Sequence, residues 1–468
     1  MELRRAHLPS LLIRVALVVI FLYSAAQLLQ FAYRAATNLL LQDFSAYYTA
    51  GQALNYGQSP YLNNLSNIPP LWDGIAHFRY SRFLYPPLVA VFFQPFALLP
   101  YSIAKILWVL LTLVCLGLSL LLTSRLFPLR TPNQSLIVGI GVCLYYPLYT
   151  HLDRGQIDLI ILLLIVLSVG WIDRRTKKTD LAAGLLLAFA TLLKLHCAYV
   201  LPFLLIRRKW HVFAGFLYGG LLILAASVII LGGFRSLYDY VRYQLPRISG
   251  ITSPDDTLGK ANKTVLEALI ANVPVDSTVQ DGQIYQSSTY SSLAQVSLVA
   301  PVYYDLAGQK IFVSRTLLSV VFFAFLFLLI WIWERKVAHA GTSGRAEFLY
   351  WQIPFLVILL TAPLTWVMNT VWVLPFSVVL ASIYPDLSKM GEKISFGIMT
   401  VGYLLLLVPE NTLPVLNFLL LNKSIYAELT VLIGLLLFLS ASRKLVPAAS
   451  EPRIPGSGQG FSKSDVVK

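Results

Sequence analysis

Long, nearly uninterrupted apolar segments are the feature that most constrains how this chain can fold. A helix of about 20 apolar residues crosses the roughly 30 Å of hydrocarbon in a bilayer. Four segments reach or approach that length, at residues 11–33, 160–171, 216–231 and 317–333. Of the 468 residues, 57% are hydrophobic and only 12% are charged, whereas soluble domains carry about 25% charged residues. The sequence therefore predicts an integral membrane protein that crosses the bilayer many times.

The distribution of basic residues indicates the side of the membrane on which each loop lies. The chain has 36 Lys and Arg against 22 Asp and Glu, a formal net charge of +14. Basic residues are typical of short cytoplasmic loops, where they contact anionic lipid, so this charge implies no nucleic-acid partner. The Pro-rich apolar stretch 84–99 is interpreted as an interfacial helix on the outer face. A crossing there would place the basic stretch 173–178 outside. About twelve transmembrane helices then follow, with both termini cytoplasmic.

The predicted fold class is an all-α polytopic membrane protein with long outer loops. One membrane domain covers residues 1–445, and its outer loops span about residues 34–100 and 232–310. The polar stretch 446–468 is predicted to be a disordered cytoplasmic tail. The first apolar segment is longer than a signal-peptide core and lacks a cleavage site, so we expect it to remain as the first transmembrane helix.

Polar motifs that contain Pro, Gly or charged residues all fall on the predicted outer face. They are Gln42-Asp43-Phe44, Tyr85-Pro86-Pro87, Arg154-Gly155-Gln156, Lys194-Leu195-His196, the loop around Asn262, and Pro363-Leu364-Thr365-Trp366. Irregular backbone at membrane depth occurs where it lines a cavity or is covered by protein. A single outward-facing cavity is therefore predicted.

Two charged residues in these motifs are candidates for chemistry. Asp43 is a lone acid beside an apolar helix end, where a carboxylate is costly unless it is solvated or paired. A functional acid and a simple interfacial carboxylate fit this position equally well. Lys194 separates two short apolar runs, 181–193 and 199–206, and broken helices in membrane proteins often frame a binding site. This lysine could hold a phosphate as a point charge or extend its ammonium group to the interface.

The remaining candidates give weaker signals. Gln156 can hydrogen-bond hydroxyl groups or cap a helix, and His196 can bind a ligand or pack in the interior. Tyr85 and Trp366 can contact a sugar ring or anchor a helix at the membrane interface. The sequence contains no GxxxxGK(S/T), HExxH or GxSxG motif and no GxGxxG after a strand. Nucleotide hydrolysis and zinc chemistry therefore have no support.

Six motifs occur in a fixed order along residues 11–385. They are Asp43-Phe44-x-x-Tyr47-Tyr48-x-Ala50-Gly51, Gly57-x-x-Pro60-Tyr61, Phe83-x-Tyr85-Pro86-Pro87-Leu88, Gly155-Gln156, Lys194-Leu195-His196 and Pro363-x-Thr365-Trp366. Taken together they resemble the family 87 glycosyltransferases of the GT-C superfamily, which include mannosyltransferases that use polyprenol-phosphate mannose. This chain departs from the family in two places. The family usually has Lys-x-Pro at residues 194–196, and it often has His near Trp366.

The resemblance implies a GT-C fold and transfer of a hexose, mannose in the first instance, from a polyprenyl-phosphate donor to a lipid or glycan acceptor. Transfer would take place on the outer, periplasmic face of the plasma membrane and would invert the anomeric carbon. Asp43 would act as general base, and Lys194, Arg82 and Arg154 would bind the donor phosphate. Residues expected to contact the sugar or the acceptor are Tyr85, Gln156, His196, Asn262 and Trp366. No cofactor is implied, no metal ligands are assigned, and the need for a divalent metal stays open.

Two alternatives stay open on the sequence alone. A transporter or flippase of a lipid-linked or small anionic solute would also have about twelve spans and broken helices. Its polar motifs would lie near the midplane of the membrane, however, and not on one face. Within the enzymes, the donor could carry another lipid-linked sugar, such as arabinofuranose or glucose.

Overall fold

The structure is a computed structural model that describes most of the apolar segments. The described residues are 2–38, 41–57, 59–61, 83–172, 174, 176–245, 292–293, 302–306, 309–313, 315–337, 344–363, 365–409 and 423–442. The predicted tail 446–468 and two predicted site residues, Arg82 and Asn262, lie outside these ranges.

Helices make up nearly all of the described chain. The α-helices are α1 (Glu2–Thr37), α2 (Gln42–Asn55), α3 (Pro87–Phe93), α4 (Tyr101–Leu126), α5 (Pro132–Cys143), α6 (Tyr146–Arg154), α7 (Asp158–Ile172), α8 (Lys177–Leu193), α9 (Leu201–Ile206), α10 (Trp210–Ile230), α11 (Arg235–Asp239), α12 (Arg315–Val337), α13 (Gly344–Thr361), α14 (Phe376–Ile383), α15 (Met390–Leu405) and α16 (Lys423–Ala441). Short 3₁₀ helices lie at Phe96–Leu98, Leu195–Val200, Val367–Val373 and Tyr384–Asp386, and Tyr240–Gln244 form a π-helix.

A β-hairpin precedes α12 and departs from the all-α prediction. Strands β1 (Val302–Leu306) and β2 (Gln309–Val313) pair in antiparallel fashion, with Val302 opposite Val313. Both strands are rich in β-branched and aromatic residues, which favour strands. The hairpin went unpredicted because the apolar residues of β2 merge in sequence with those of the following helix.

Six segments of the described chain are long and apolar enough to cross a membrane, as expected for a multi-pass membrane protein. They are Leu11–Asn55, Tyr101–Leu126, Trp210–Ile230, Thr316–Lys336, Val367–Asp386 and Lys423–Ala441. The pair α5 and α6, bent by 47°, would form a seventh. Other predicted crossings fold as shorter helices, such as α7 with 15 residues. Twelve crossings and the GT-C fold stay predictions.

The Pro-rich stretch 84–99 does not form a membrane-crossing helix. Its α-helix, α3, has seven residues and is about 10 Å long. Pro87 occupies the first turn, where a missing N–H costs no helical hydrogen bond. The short helix agrees with the prediction that this stretch does not cross, and its place at the interface stays a prediction.

Apolar faces on the outside of the helical bundle are suited to contact with lipid. On α1, Leu29 is 67% exposed, and on α10 Leu222 and Ile229 are 68% and 78% exposed. Contiguous apolar surface of this kind is rare on soluble monomers. By contrast, 89% of an apolar window within Val367–Asp386 is buried in the protein. This segment therefore lies in the centre of the bundle.

One end of the bundle is held by ion pairs between helix ends, and we call it the ion-paired end. Arg207, after α9, binds Glu334 near the end of α12 at 3.2 Å and Glu347 at the start of α13 at 2.9 Å. Arg130, before α5, binds Asp386 at 2.6 Å. The opposite ends of α12 and α13 carry the cavity described below. The ion-paired basic residues and the polar motifs thus lie at opposite ends of the bundle, and which end faces the cytoplasm stays a prediction.

Candidate active site

A cavity of about 520 Å³ opens at the end of the bundle opposite the ion-paired end. The structure brings seven predicted site residues together on its wall. They are Asp43, Tyr85, Arg154, Gln156, Lys194, His196 and Trp366. These seven residues come from five motifs of the sequence, so one cavity gathers five of the six motifs that were predicted to lie on one face.

Helix α2 carries Asp43 to the cavity wall. This stretch was predicted to be part of a polar outer loop, but the structure shows a helix with ten buried residues. Phe44 packs on Trp108 with ring centroids 5.7 Å apart, and Tyr47 packs on Phe93 at 4.9 Å. A Cβ on Gly51 would lie 2.7 Å from the carbonyl carbon of Phe93. The aromatic face thus holds α2 against α3, with Asp43 in its first turn.

The Asp43 carboxylate accepts hydrogen bonds from a cation and an amide. Arg154 donates from Nε to Oδ2 at 3.1 Å and from Nη2 to Oδ1 at 3.3 Å. Gln156 donates from Nε2 to Oδ2, and Arg154 Nη1 donates to the Gln42 side chain. Oδ1 therefore accepts one of these bonds and Oδ2 accepts two. Because a carboxylate has about four acceptor positions, Oδ1 keeps capacity for a further donor.

Gln156 is held by two tyrosines and points its amide nitrogen at Asp43. Its Oε1 accepts hydrogen bonds from the hydroxyl groups of Tyr47 at 3.0 Å and Tyr85 at 3.1 Å. Burial, and after it the negative charge of Asp43, raise the pKa of the Tyr85 phenol, so this hydroxyl remains a donor. The predicted role of Gln156 in sugar binding stays a prediction, but its hydrogen bonds here go to the protein.

Gly155 makes the turn that separates Arg154 from Gln156. It ends α6 with φ at +68°, in the left-handed region that glycine enters readily. A Cβ at this position would lie 2.8 Å from Cβ of Phe44. Its carbonyl accepts a 2.9 Å hydrogen bond from Trp108 Nε1. The turn therefore needs glycine for its conformation and for the close approach of α2.

Lys194 lies at the break between α8 and the following 3₁₀ helix, as the two short apolar runs predicted. Its Nζ donates to both oxygens of Asp158, at 2.9 and 2.8 Å. Asp158 Oδ2 also accepts a 2.8 Å hydrogen bond from Asn369 Nδ2. Asp158 and Asn369 are fully buried. This network was not predicted, because its members are joined only by the tertiary fold.

His196 and Trp366 complete the predicted part of the wall. Within the described residues, His196 Nε2 has no hydrogen-bond partner, and its ring lies 5.6 Å from that of Trp372. The Trp366 backbone N–H donates to Asn369 Oδ1 at 2.6 Å. Both residues line the cavity.

Residues from both predicted outer loops close around the cavity. Tyr240, in the π-helix, lines the wall and lies over Tyr61 with ring centroids 6.0 Å apart. The Tyr61 hydroxyl donates to the carbonyl oxygen of Tyr85 at 2.9 Å, and Ser59 donates to Asp239 at 2.8 Å. Tyr240 was not among the predicted site residues, because nothing in its local sequence marks it.

The described residues contain no group of three or more His, Cys, Asp or Glu side chains that could hold a metal ion. Among the described residues that line the cavity, the charged groups are one carboxylate and two cations, Asp43, Arg154 and Lys194.

The fold and the cavity define a multi-pass helical membrane protein with a charged, aromatic pocket at one end of its helices. Residues 83–274 match the sequence model of glycosyltransferase family 87. This match confirms the resemblance to family 87 glycosyltransferases. It includes Tyr85, Gln156 and Lys194, whereas Asp43 and Trp366 lie outside the matched region.

Two curated relatives carry the same name, polyprenol-phosphate-mannose-dependent alpha-(1-2)-phosphatidylinositol mannoside mannosyltransferase. The protein of Mycobacterium tuberculosis (strain ATCC 25618 / H37Rv) is 34% identical over 140 residues, which cover 27% of this chain and 32% of the relative. That of Mycolicibacterium smegmatis (strain ATCC 700084 / mc(2)155) is 26% identical over 319 residues, covering 64% of this chain and 61% of the relative. The chain thus spans about a third and about three fifths of these relatives. No solved structure matches it.

Proposed function

We propose that this chain is a membrane glycosyltransferase that moves a hexose, mannose in the first instance, from a polyprenyl-phosphate donor to a hydroxyl of a lipid or glycan acceptor. The reaction would take place at the outer face of the plasma membrane. One observation carries the proposal: a cavity at one end of the membrane helices holds the Asp43 carboxylate together with Arg154 and Lys194. The family match and the names of the two relatives support the same class of reaction.

In the proposed reaction Asp43 takes the proton from the acceptor hydroxyl. The acceptor oxygen forms a bond to the anomeric carbon, and the bond from that carbon to the phosphate oxygen breaks. The phosphate leaves with the electron pair from the face opposite to the attack, which inverts the anomeric carbon. Oδ1 of Asp43 is the oxygen suited to this proton, since Oδ2 already accepts from both Arg154 and Gln156. A positioned carboxylate of this kind is a competent general base.

The two cations would stabilise the phosphate as negative charge builds on it. A guanidinium group has five N–H donors and an ammonium group has three. Arg154 uses three of its donors on Asp43 and Gln42, which leaves two. Lys194 directs two at Asp158, which leaves one. Both side chains line the cavity, so each can bind its protein partner and a phosphate oxygen together. We assign Arg82 to the same role.

The sugar and the acceptor would contact the remaining wall. Trp366 and Tyr85 offer aromatic faces that suit the apolar side of a sugar ring, and His196 offers a nitrogen that can bond a hydroxyl. We keep Gln156 and Asn262 as proposed polar contacts. Through its bond to Asp43, Gln156 would also orient the base.

The test is transfer of labelled sugar by the purified protein. Protein in proteoliposomes is incubated with radiolabelled polyprenyl-phosphate mannose and membrane lipid extract, and products are separated by thin-layer chromatography. A new labelled glycolipid that is stable to mild acid is the expected result. Label that crosses the membrane without a new glycosidic product would instead identify a transporter. Parallel donors that carry arabinofuranose or glucose determine which sugar is used.

A further inference from the structure

We propose that Asp158 and Asn369 are positioning residues that aim the Lys194 ammonium group at the donor phosphate. This inference rests on the proposed function, because it deepens the role of Lys194. Asp158 and Asn369 are fully buried and lie behind the residues that line the cavity. Asp158 would therefore act on a ligand through Lys194, and Asn369 would act through Lys194 or through the Trp366 backbone N–H that it accepts.

The network joins three segments that meet behind the cavity wall. Asp158 is the first residue of α7, and Lys194 follows the last residue of α8. Asn369 lies in the 3₁₀ helix Val367–Val373. Asn369 donates from Nδ2 to Asp158 at 2.8 Å and accepts the backbone N–H of Trp366 at 2.6 Å. One asparagine thus links Asp158, the partner of Lys194, to the backbone of Trp366, another residue of the cavity wall.

A lysine side chain needs such an anchor to act as a directed donor. Its ammonium group lies on a flexible four-carbon stem, and its hydrogen bonds are not directed by a rigid plane as those of arginine are. Both oxygens of Asp158 lie within 2.9 Å of Lys194 Nζ. This pairing fixes two of the three N–H directions, so the third is determined by tetrahedral geometry. Because Lys194 lines the cavity, the third N–H is the one available to a ligand.

A contribution to folding stability does not by itself explain why a buried ion pair is present. Replacing such a pair by apolar residues of similar volume is often neutral or stabilising. This pair lies at the break between α8 and the next helix, where its cation reaches a cavity. Arg207 and its partners at the ion-paired end are not among the residues that line the cavity described above, and they hold helix ends together. Position beside the cavity is what distinguishes the Asp158–Lys194 pair.

Two substitutions change the geometry of the network and leave every charge in place. Asn369→Leu removes the hydrogen bond to Asp158 at nearly constant volume, together with the bond from the Trp366 N–H, and Asp158→Glu moves the carboxylate by one methylene. The probe is radiolabelled polyprenyl phosphate, bound to the full chain in nanodiscs. We expect each variant to bind this probe on the order of tenfold more weakly, the scale of one hydrogen bond to a charged group. Affinity equal to that of the unchanged protein would overturn the proposal.

A double-mutant cycle separates positioning from general destabilisation. In a Lys194→Ala background, Asn369→Leu should weaken binding no further, because the group that it positions is gone. An undiminished loss in that background would refute the proposal. If Asp158→Glu does not fold, Asn369→Leu still decides the question. Glu347→Asp is the matched control, because it shifts a buried carboxylate that binds Arg207 at the ion-paired end; it should leave probe affinity unchanged.

The binding assay also separates this inference from the proposed function. Polyprenyl phosphate carries no sugar, so its binding needs no transfer reaction. If the protein binds the probe and shows the coupling between Asn369 and Lys194 but makes no glycoside, the transferase proposal fails and the positioning role stands. If glycoside forms but the coupling is absent, the positioning role fails alone. Absence of any probe binding would overturn both.

Discussion

Replacing Asp43 with Asn tests the proposed base with the smallest change of shape. In the unchanged protein three N–H groups, two from Arg154 and one from Gln156, converge on the carboxylate. An amide keeps only one oxygen, so one of these donors would face an N–H group of the new side chain. Gln156 cannot turn its own oxygen toward the new amide without losing the hydroxyl groups of Tyr47 and Tyr85. The substitution therefore removes the base and also leaves one buried donor poorly paired.

These two effects have different magnitudes and different readouts. Loss of a positioned general base lowers kcat by about 10²–10⁴, which corresponds to roughly 3–5 kcal/mol in the barrier. One unsatisfied buried donor lowers the free energy of unfolding by about 1–3 kcal/mol. Because the cations are unchanged, donor affinity should stay close to that of the unchanged protein.

The assay is transfer of labelled sugar under donor saturation, normalised to folded protein by gel filtration and thermal denaturation in detergent. Asp386→Asn is the matched control, since it makes the same chemical change in a carboxylate that binds Arg130 at the ion-paired end. Asp386→Asn should retain transfer activity. Folded Asp43→Asn protein with kcat within a few fold of the unchanged protein would refute the assignment of Asp43 as general base.

Three further changes test other parts of the structure. Lys194→Ala should raise the donor KM by roughly 10- to 100-fold, the scale of one charged hydrogen bond to phosphate; an unchanged donor KM would argue against its phosphate role. Gly155→Ala should lower the free energy of unfolding by about 2 kcal/mol or more, because its Cβ would lie 2.8 Å from that of Phe44 at a left-handed φ; unchanged thermal stability would contradict this packing. Glu347→Gln should cost about 3 kcal/mol of stability, since it removes the buried negative charge that pairs with Arg207 and Lys209, while transfer by the folded fraction persists; a melting temperature equal to that of the unchanged protein would show that these pairs contribute little.

Local sequence patterns were sufficient to place most of the cavity wall. The short apolar runs before and after Lys194 predicted a broken helix, and α8 ends at Leu193. The prolines of stretch 84–99 predicted a segment that does not cross, and α3 has only seven residues. Both results depend on properties of adjacent residues, namely run length and the missing N–H of proline, which a sequence displays directly.

Features that depend on tertiary contacts could not be predicted in this way. Residues 42–55 have the mixed composition of a loop, but their aromatic residues pack on α3 and α4 and bury the helix. The bond from Asn369 to Asp158 joins residues 211 positions apart. In the sequence, Asn369 is distinguished only by its place near Trp366, where the family often has His. No local sequence pattern distinguishes an asparagine that bonds a buried carboxylate from an asparagine on the surface.

The shortness of the helices beside Lys194 has a consequence for the bilayer itself. Helix α8 has 17 residues and is about 25 Å long, less than the roughly 30 Å of an average hydrocarbon core. Leu181 and Leu185 on α8, and Leu205 on α9, are 41%, 39% and 41% exposed, so this short apolar surface is suited to contact with lipid. A bilayer accommodates a short apolar surface by local thinning. Thinning here would draw the phosphate head of the proposed polyprenyl-phosphate donor toward Lys194 while its long tail stays in hydrocarbon, so the shape of the protein would adjust the membrane to bring the proposed donor to the cavity.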